Sequence, residues 1–309
     1  MLRQALLTVA ASSRAKQLVS VLPVSSGIVA RFVAGESVEQ AVDVTLSLIE
    51  HGLHVSLDHL GEYTHDPGRA AANRDAYLTL LDRLGYAGLT GGAEVSLKLS
   101  AVGQALPGNG EQLALENART VCESARSHGT TVTLDMEDHT TTDSTLRILR
   151  ELRRDFPDVG VVLQSYLHRT ESDCRELATA GSRVRLCKGA YKEPASVAYQ
   201  SKRDVDRSYV RCLRILMAGE GYPMVATHDP RLVAITAELA VQYGRAKGTY
   251  EYQMLYGIRP DEQRRLTAMG ERVRVYVPYG ADWYGYLVRR LAERPANMAF
   301  FLRSLATKS

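Results

Sequence analysis

The sequence predicts a (β/α)8 barrel, on three observations. Short apolar, β-branched runs recur eight times, helical segments with start and stop signals lie between them, and polar residues gather near the ends of the runs. The first run is HVSLDHL from His54. EVSLKLSAV from Glu94, TVTLDMED from Thr131 and GVVLQSYL from Gly160 follow. RVRLCKGAY from Arg183, PMVATHD from Pro223, TYEYQMLYG from Thr249 and RVRVYVPYG from Arg272 complete the set. Each is too short for a core helix and is bounded by turn residues.

The intervening helices carry their own punctuation. Ser37 with Gln40 forms a capping box ahead of Val38, Ala41, Val42, Leu46 and Ile49, and Gly52 stops that helix. Thr170 with Asp173 opens another helix, which Gly181 closes. Pro230 and Pro260 suit first-turn positions. Residues 1–52 then form a helical arm leading into the barrel of 53–309, one structural domain overall, and a last helix follows the eighth strand. The stretch MLRQALLTVAASSRAKQLVSVLP reads as an amphipathic helix rather than a signal peptide, because Ser12, Ser13, Arg14 and Lys16 break its apolar patch.

Composition excludes several classes. The 309 residues are 45% hydrophobic and 24% charged, ordinary for a globular protein, and a net charge of +3 is too small to argue for nucleic acid. Cys122, Cys174, Cys187 and Cys212 show no paired spacing, so reduced thiols of a cytoplasmic protein are the default. No apolar run reaches the roughly 18 residues needed to span a bilayer.

The strand ends hold the chemistry. Asp58, Lys98, Asp135 with Glu137, Gln164, Arg185 with Lys188, Thr227 with His228, Glu251 with Gln253, and Tyr276 are all read towards C-terminal strand ends. Buried strands shed such residues, so their recurrence on one rim points to a ligand site where barrels keep theirs. Lys98 with Asp135 is either a structural salt bridge or an anion receptor with its counter-charge. The DMEDH run from Asp135 to His139 is a poor metal site, since no second histidine stands at helical spacing and cations crowd the rim. His51, His54, His59 and His65 read as solvated or locally bonded. Lys188-Gly189-Ala190-Tyr191 allows backbone to approach a planar or phosphorylated ligand closely, a weak signal alone. Lys98 or Lys188 also suits a Schiff-base aldolase, and a non-catalytic binding barrel is the third reading. Near the end, YLVRRLAERPAN sets Arg289 and Arg290 side by side with Glu293 one turn on: a solvated helix face, or an anion clamp.

DMED, LQSYLHR, RLCKGAY, ATHD, YEYQMLYG, RVYVPYG and YLVRRLAERPAN, in this order from about Leu57 to Asn297, resemble the flavin-dependent proline dehydrogenases. The length resembles the monofunctional bacterial branch, without room for the aldehyde dehydrogenase or DNA-binding domains of bifunctional relatives. The resemblance implies a barrel holding FAD, oxidation of L-proline to 1-pyrroline-5-carboxylate, and electrons passed to a quinone. It further implies peripheral contact with the inner face of the cell membrane and a 1-pyrroline-5-carboxylate dehydrogenase as partner. By resemblance, Arg289, Arg290 and Lys98 grip the proline carboxylate, Asp135 lies near the amine, and Glu293 pairs within that group. Arg185 matches a cation at the flavin's reactive edge. Met136, Gln164, Lys188, Gly189, Ala190, Thr227 and His228 match FAD contacts. Tyr276, Tyr286 and Leu255 match residues around the proline ring, and a tyrosine at 286 fits proline better than hydroxyproline. The last helix is expected over the active site. Two positions depart from the family pattern: Asp229 stands where asparagine is common, and Lys192 where an aromatic is common.

Overall fold

A computed structural model describes residues 29–287. Eight parallel strands close on themselves in the order β1 to β8. After helix α1 (Val38–Glu50) they run β1 (His54–His59), α2 (Pro67–Tyr86), β2 (Ala93–Leu97), α3 (Gly110–Ser127), β3 (Val132–Leu134), α4 (Thr142–Arg153) and β4 (Gly160–Gln164). Then come α5 (Thr170–Leu177), β5 (Arg183–Cys187), α6 (Lys202–Ala218), β6 (Tyr222–Ala226), α7 (Pro230–Gln242), β7 (Glu251–Leu255), α8 (Pro260–Ala268) and β8 (Val273–Tyr279). All eight expected strands form. The second is shorter than its sequence run: Leu99–Val102 coil into a 3-10 turn straight after Lys98.

The sequence punctuation acts as read at α1. The Ser37 hydroxyl accepts from Gln40 N, and the Gln40 side chain accepts from Ser37 N. Pro230 and Pro260 sit in first turns. Thr170 is different. Its hydroxyl donates to Gln164 O at 2.6 Å, tying α5 to the strand before it rather than capping the helix, while Asp173 pairs with Arg169. The helix ends at Leu177, ahead of Gly181.

Strand faces that meet the helices supply the main core, with Val55, Leu57, Val95, Leu97, Leu134, Val161, Leu186, Val225, Val273 and Val275 buried. A second apolar cluster lies over the β7–β8–β1 end. Phe32, Val33, Leu60, Ile258, Trp283, Tyr284, Tyr286 and Leu287 pack there, with Leu255 against them. The chain entering α1 is bound to this end by Ala34 N donating to Pro278 O at 2.9 Å. Gly257, at φ 71°, lies against it so closely that a Cβ would fall 1.7 Å from Arg31 O. Among the described residues no helix is long and apolar enough to cross a membrane. The segment 1–28 and residues 288–309 lie outside the described residues, and with them fall the expected N-terminal amphipathic helix and the 289–297 part of the expected last helix.

Candidate active site

The barrel interior is charged along its whole length, in two layers. At the N-terminal end, Arg183 and Arg274 meet Glu94 and Glu251: Arg183 Nη2 to Glu94 Oε2 is 2.5 Å and Arg274 Nε to Glu251 Oε1 is 2.7 Å. Glu94 also accepts from Ser56 and Thr133 hydroxyls. Glu251 therefore does not belong to the C-terminal rim where the sequence pattern put it. It is the first residue of β7, and its alternate-residue period carries it to the opposite end of the interior from Leu255.

The C-terminal layer brings together Lys98, Asp135 and Tyr276 of the expected substrate group. Lys98 Nζ lies 2.6 Å from both oxygens of Asp58 and 3.9 Å from Asp135 Oδ2. Asp135 Oδ1 accepts from Ser96 Oγ at 2.8 Å and Arg185 Nη1 at 2.9 Å, and its Oδ2 accepts from Tyr276 OH at 2.7 Å. Strands β8, β1, β2 and β3 are consecutive in the barrel, which is why residues far apart in sequence converge here. Arg185 joins the layers. It donates to Gln253, Ser96, Asp135 and Ser56, reaches Glu94 at 3.5 Å, and lies 5.3 Å from the Tyr276 ring centroid.

Four cations (Lys98, Arg183, Arg185, Arg274) thus meet four carboxylates (Asp58, Glu94, Asp135, Glu251) inside the barrel. Unpaired, each would be costly to bury; interlocked, they neutralise one another. Environment still separates them. Burial raises the Glu94 carboxyl, but Arg183, Arg274 and Arg185 outweigh it and hold the group down at about 2. Burial pushes Asp58 up to about 6, because Lys98, with a smaller contribution from Tyr276, opposes it only in part and Asp135 adds repulsion. Burial also works against the Lys98 ammonium, yet Asp58 and then Asp135 hold its pKa above the ordinary value. A lysine so held stays protonated at neutral pH.

Beside this group, burial pushes Glu137 up to about 7 despite bonds from Ser100 N and Ser100 Oγ. Ser100 also accepts from Tyr63 N, so the carboxylate steadies the loop after β1. Tyr63 there adopts φ 48°, a left-handed conformation rare for an aromatic residue.

The expected cofactor positions occupy the other half of the rim. Met136 and Gln164 are buried, and the Gln164 amide donates to Glu137 O at 2.6 Å. Lys188, Gly189 and Ala190 follow β5. A Cβ on Gly189 (φ 104°) would lie 2.3 Å from the Tyr166 ring, so only glycine fits that backbone. Thr227 Oγ1 accepts from Asp229 N, and His228 Nε2 accepts from Leu255 N at 2.9 Å, which places the ring proton on Nδ1. Arg259, in the left-handed region at φ 53°, donates to His228 O. The DMEDH side chains diverge: Asp135 faces inward, while His139 pairs with Glu193. Lys192 is exposed. Of the expected substrate group, Arg289, Arg290 and Glu293 lie outside the described residues. Tyr286 and Leu255 meet in the second apolar cluster, beside β8 and β1.

Sequence reading missed Ser56, Ser96 and Glu94 and gave Asp58 no role. Their signal was present: inward positions of β1 and β2 alternate polar residues, Ser56 with Asp58 and Glu94, Ser96 with Lys98.

A closed parallel barrel with a buried charged cluster at its C-terminal mouth defines a (β/α)8 enzyme. The family model described as "Proline dehydrogenase" matches residues 41–303. The chain is 43% identical over 305 residues to a proline dehydrogenase of Deinococcus radiodurans, covering 98% of this chain and 97% of that one. It is 39% identical over 278 residues to proline dehydrogenase 1 of Bacillus subtilis, covering 90% of each. Among solved structures, proline utilization A (PutA) of Bdellovibrio bacteriovorus inactivated by N-propargylglycine superposes with a TM-score of 0.79 at 26% identity. That match covers 86% of this chain and 32% of the longer PutA chain. The chain belongs to the proline dehydrogenase family.

Proposed function

We propose that the protein oxidises L-proline to 1-pyrroline-5-carboxylate with FAD as resident cofactor and a quinone as electron acceptor, the first step of proline breakdown. The observation that carries this reading is the Asp58–Lys98–Asp135–Tyr276 cluster, in a chain of this family. Lys98 is a fixed cation that receives the substrate carboxylate, joined by Arg289 and Arg290, with Glu293 paired among them. Asp135 accepts the substrate amine's charge and proton, and Arg185 and Tyr276 fix the direction of its two oxygens. Tyr276, Tyr286 and Leu255 enclose the ring and exclude water. Orientation of proline C5 by this clamp is a large part of the rate.

The donor set around β4 to β7 fits a dinucleotide. It offers a half-buried lysine, a Gly189 backbone packed against the Tyr166 ring, the Thr227 hydroxyl and the His228 ring. Met136, Gln164, Lys188, Gly189, Ala190, Thr227 and His228 would hold FAD, which when bound supplies the acceptor for the hydride leaving proline C5. Arg185, its fork already engaged by neighbours, would act on the reactive edge through its positive field. The Schiff-base reading fares poorly: an imine needs a deprotonated lysine, and Asp58 keeps Lys98 protonated. Peripheral membrane contact and hand-over to a 1-pyrroline-5-carboxylate dehydrogenase extend the proposal.

The test is an anaerobic absorbance spectrum of purified protein before and after L-proline. A yellow protein whose flavin bands bleach supports the reading, and Arg289→Met should then need far more proline for the same bleaching while remaining yellow. Yellow protein that ignores proline would demand another substrate. Colourless protein that FAD does not reconstitute would end the flavin reading.

A further inference from the structure

Lys188 is claimed by two carboxylates. Its Nζ lies 2.6 Å from Asp206 Oδ1 on α6 and 3.3 Å from Asp229 Oδ2 at the start of α7. Asp229 is the N-cap residue of α7, and its Oδ1 accepts from Arg231 N at 3.1 Å. The Arg231 guanidinium reaches Asp229 Oδ2 at 2.9 Å and Asp206 Oδ2 at 3.2 Å, and Lys202 Nζ reaches Asp206 Oδ2 at 2.5 Å. Three cations share two carboxylates on one rim. The Asp229 carboxylate therefore takes two groups of the kind that receive an external oxyanion, a lysine ammonium and one first-turn amide of a helix. Arg231 first, and Lys188 after it, hold that carboxyl well below the usual range, so it is ionised throughout the working pH range.

We propose that Asp229, seconded by Asp206, is an internal competitor for the diphosphate of the dinucleotide cofactor, and that it sets the affinity of this chain for FAD. The proposal rests on the flavin reading above. Cofactor phosphate must draw Lys188 away from both carboxylates, and a negative charge fixed beside it opposes its arrival. An asparagine at 229 would keep the cap, since Asn and Asp cap helices about equally well, and would remove only the charge.

The experiment is titration of flavin-free protein with FAD, read by the change in flavin fluorescence, in wild type, Asp229→Asn, Asp206→Asn and Asp82→Asn. Asp82 is an exposed residue on α2 that pairs with His128, so its variant makes the same change in net charge away from Lys188. Asp229→Asn should bind FAD about tenfold more tightly (one factor of ten is about 1.4 kcal/mol), Asp206→Asn in the same direction, and Asp82→Asn within twofold of wild type. Should the Asp229 variant fail to fold, Asp206→Asn carries the test. Unchanged or weaker FAD binding in both rim variants overturns the inference and leaves the flavin reading standing. Equal tightening in Asp82→Asn overturns it as well, because the effect would then be one of overall charge. Absence of saturable FAD binding in wild type and every variant overturns both.

Discussion

The two ends of the barrel interior use the same residue types to opposite effect. At the N-terminal end, Glu94 is surrounded by Arg183, Arg274 and Arg185 and two hydroxyls, and its carboxyl is held at about 2. At the C-terminal end, Asp58 faces one lysine and a second carboxylate, and is pushed up to about 6. The first arrangement over-determines its charge and acts as a strut. The second leaves charge under-determined, so an incoming carboxylate and amine can still redistribute it. Burial is nearly equal at the two carboxylates, so partner number and sign set their charge states apart.

Glu94→Ala is the severest test of that contrast. It leaves three arginines short of a counter-charge, and stability should fall by about 3–5 kcal/mol, a drop of roughly 10 °C in Tm by calorimetry. Where the variant still folds, KM for proline should move little; a large KM change at retained stability would mean that the N-terminal layer is no mere strut. Lys98→Met should do the reverse. Proline KM in steady-state assays should rise on the order of 100-fold, about 3 kcal/mol, while the fold survives because Asp58 is free to take up a proton. Unfolding of Lys98→Met would make the upper layer a strut too.

Glu137 sharpens the comparison through pH. Its folded pKa, about 7, lies above the ordinary 4.5. Between these values the folded state binds the extra proton, so the stability it contributes is full below about 4.5. That contribution is lost as pH rises through 7. Glu137→Gln should abolish this slope, so denaturation curves at pH 5 and pH 8 should shift in the variant's favour by roughly 2–3 kcal/mol. Parallel curves for the two proteins would contradict burial as the cause. The smallest effect belongs to Tyr276→Phe. Loss of one bond to Asp135 should lower kcat/KM about tenfold, roughly 1.4 kcal/mol, with Tm nearly unchanged; a Tm loss as large as that of Glu94→Ala would reassign Tyr276 to structure.

Local signals fixed the secondary structure. Alternation of β-branched runs with capped helical segments is a property of neighbours in sequence, so all eight strands, the capping box at Ser37 and the prolines at 230 and 260 could be read directly. So could the roster of candidate residues at the strand ends, and the resemblance to the family. What local pattern leaves open is which end of the interior a strand residue occupies. Glu251 looks like its rim neighbours in sequence, and only the register of β7 against β6 and β8 sends it to the opposite layer. Likewise, Lys98 was legible as a lysine at the strand end, but not its grip on Asp58, since that pair depends on β1 and β2 lying side by side. Asp229 makes the same point at the rim. Its departure from the family pattern is visible in the sequence, and its pairing with Lys188 exists only because the ends of β5 and β6 are adjacent. The sequence by itself determined the elements and the chemical inventory, because helices, strands and caps are set by bonds between near neighbours. Tertiary structure alone decided how charge is shared, because a buried ion's state depends on which partners closure of the barrel brings within about 3–4 Å.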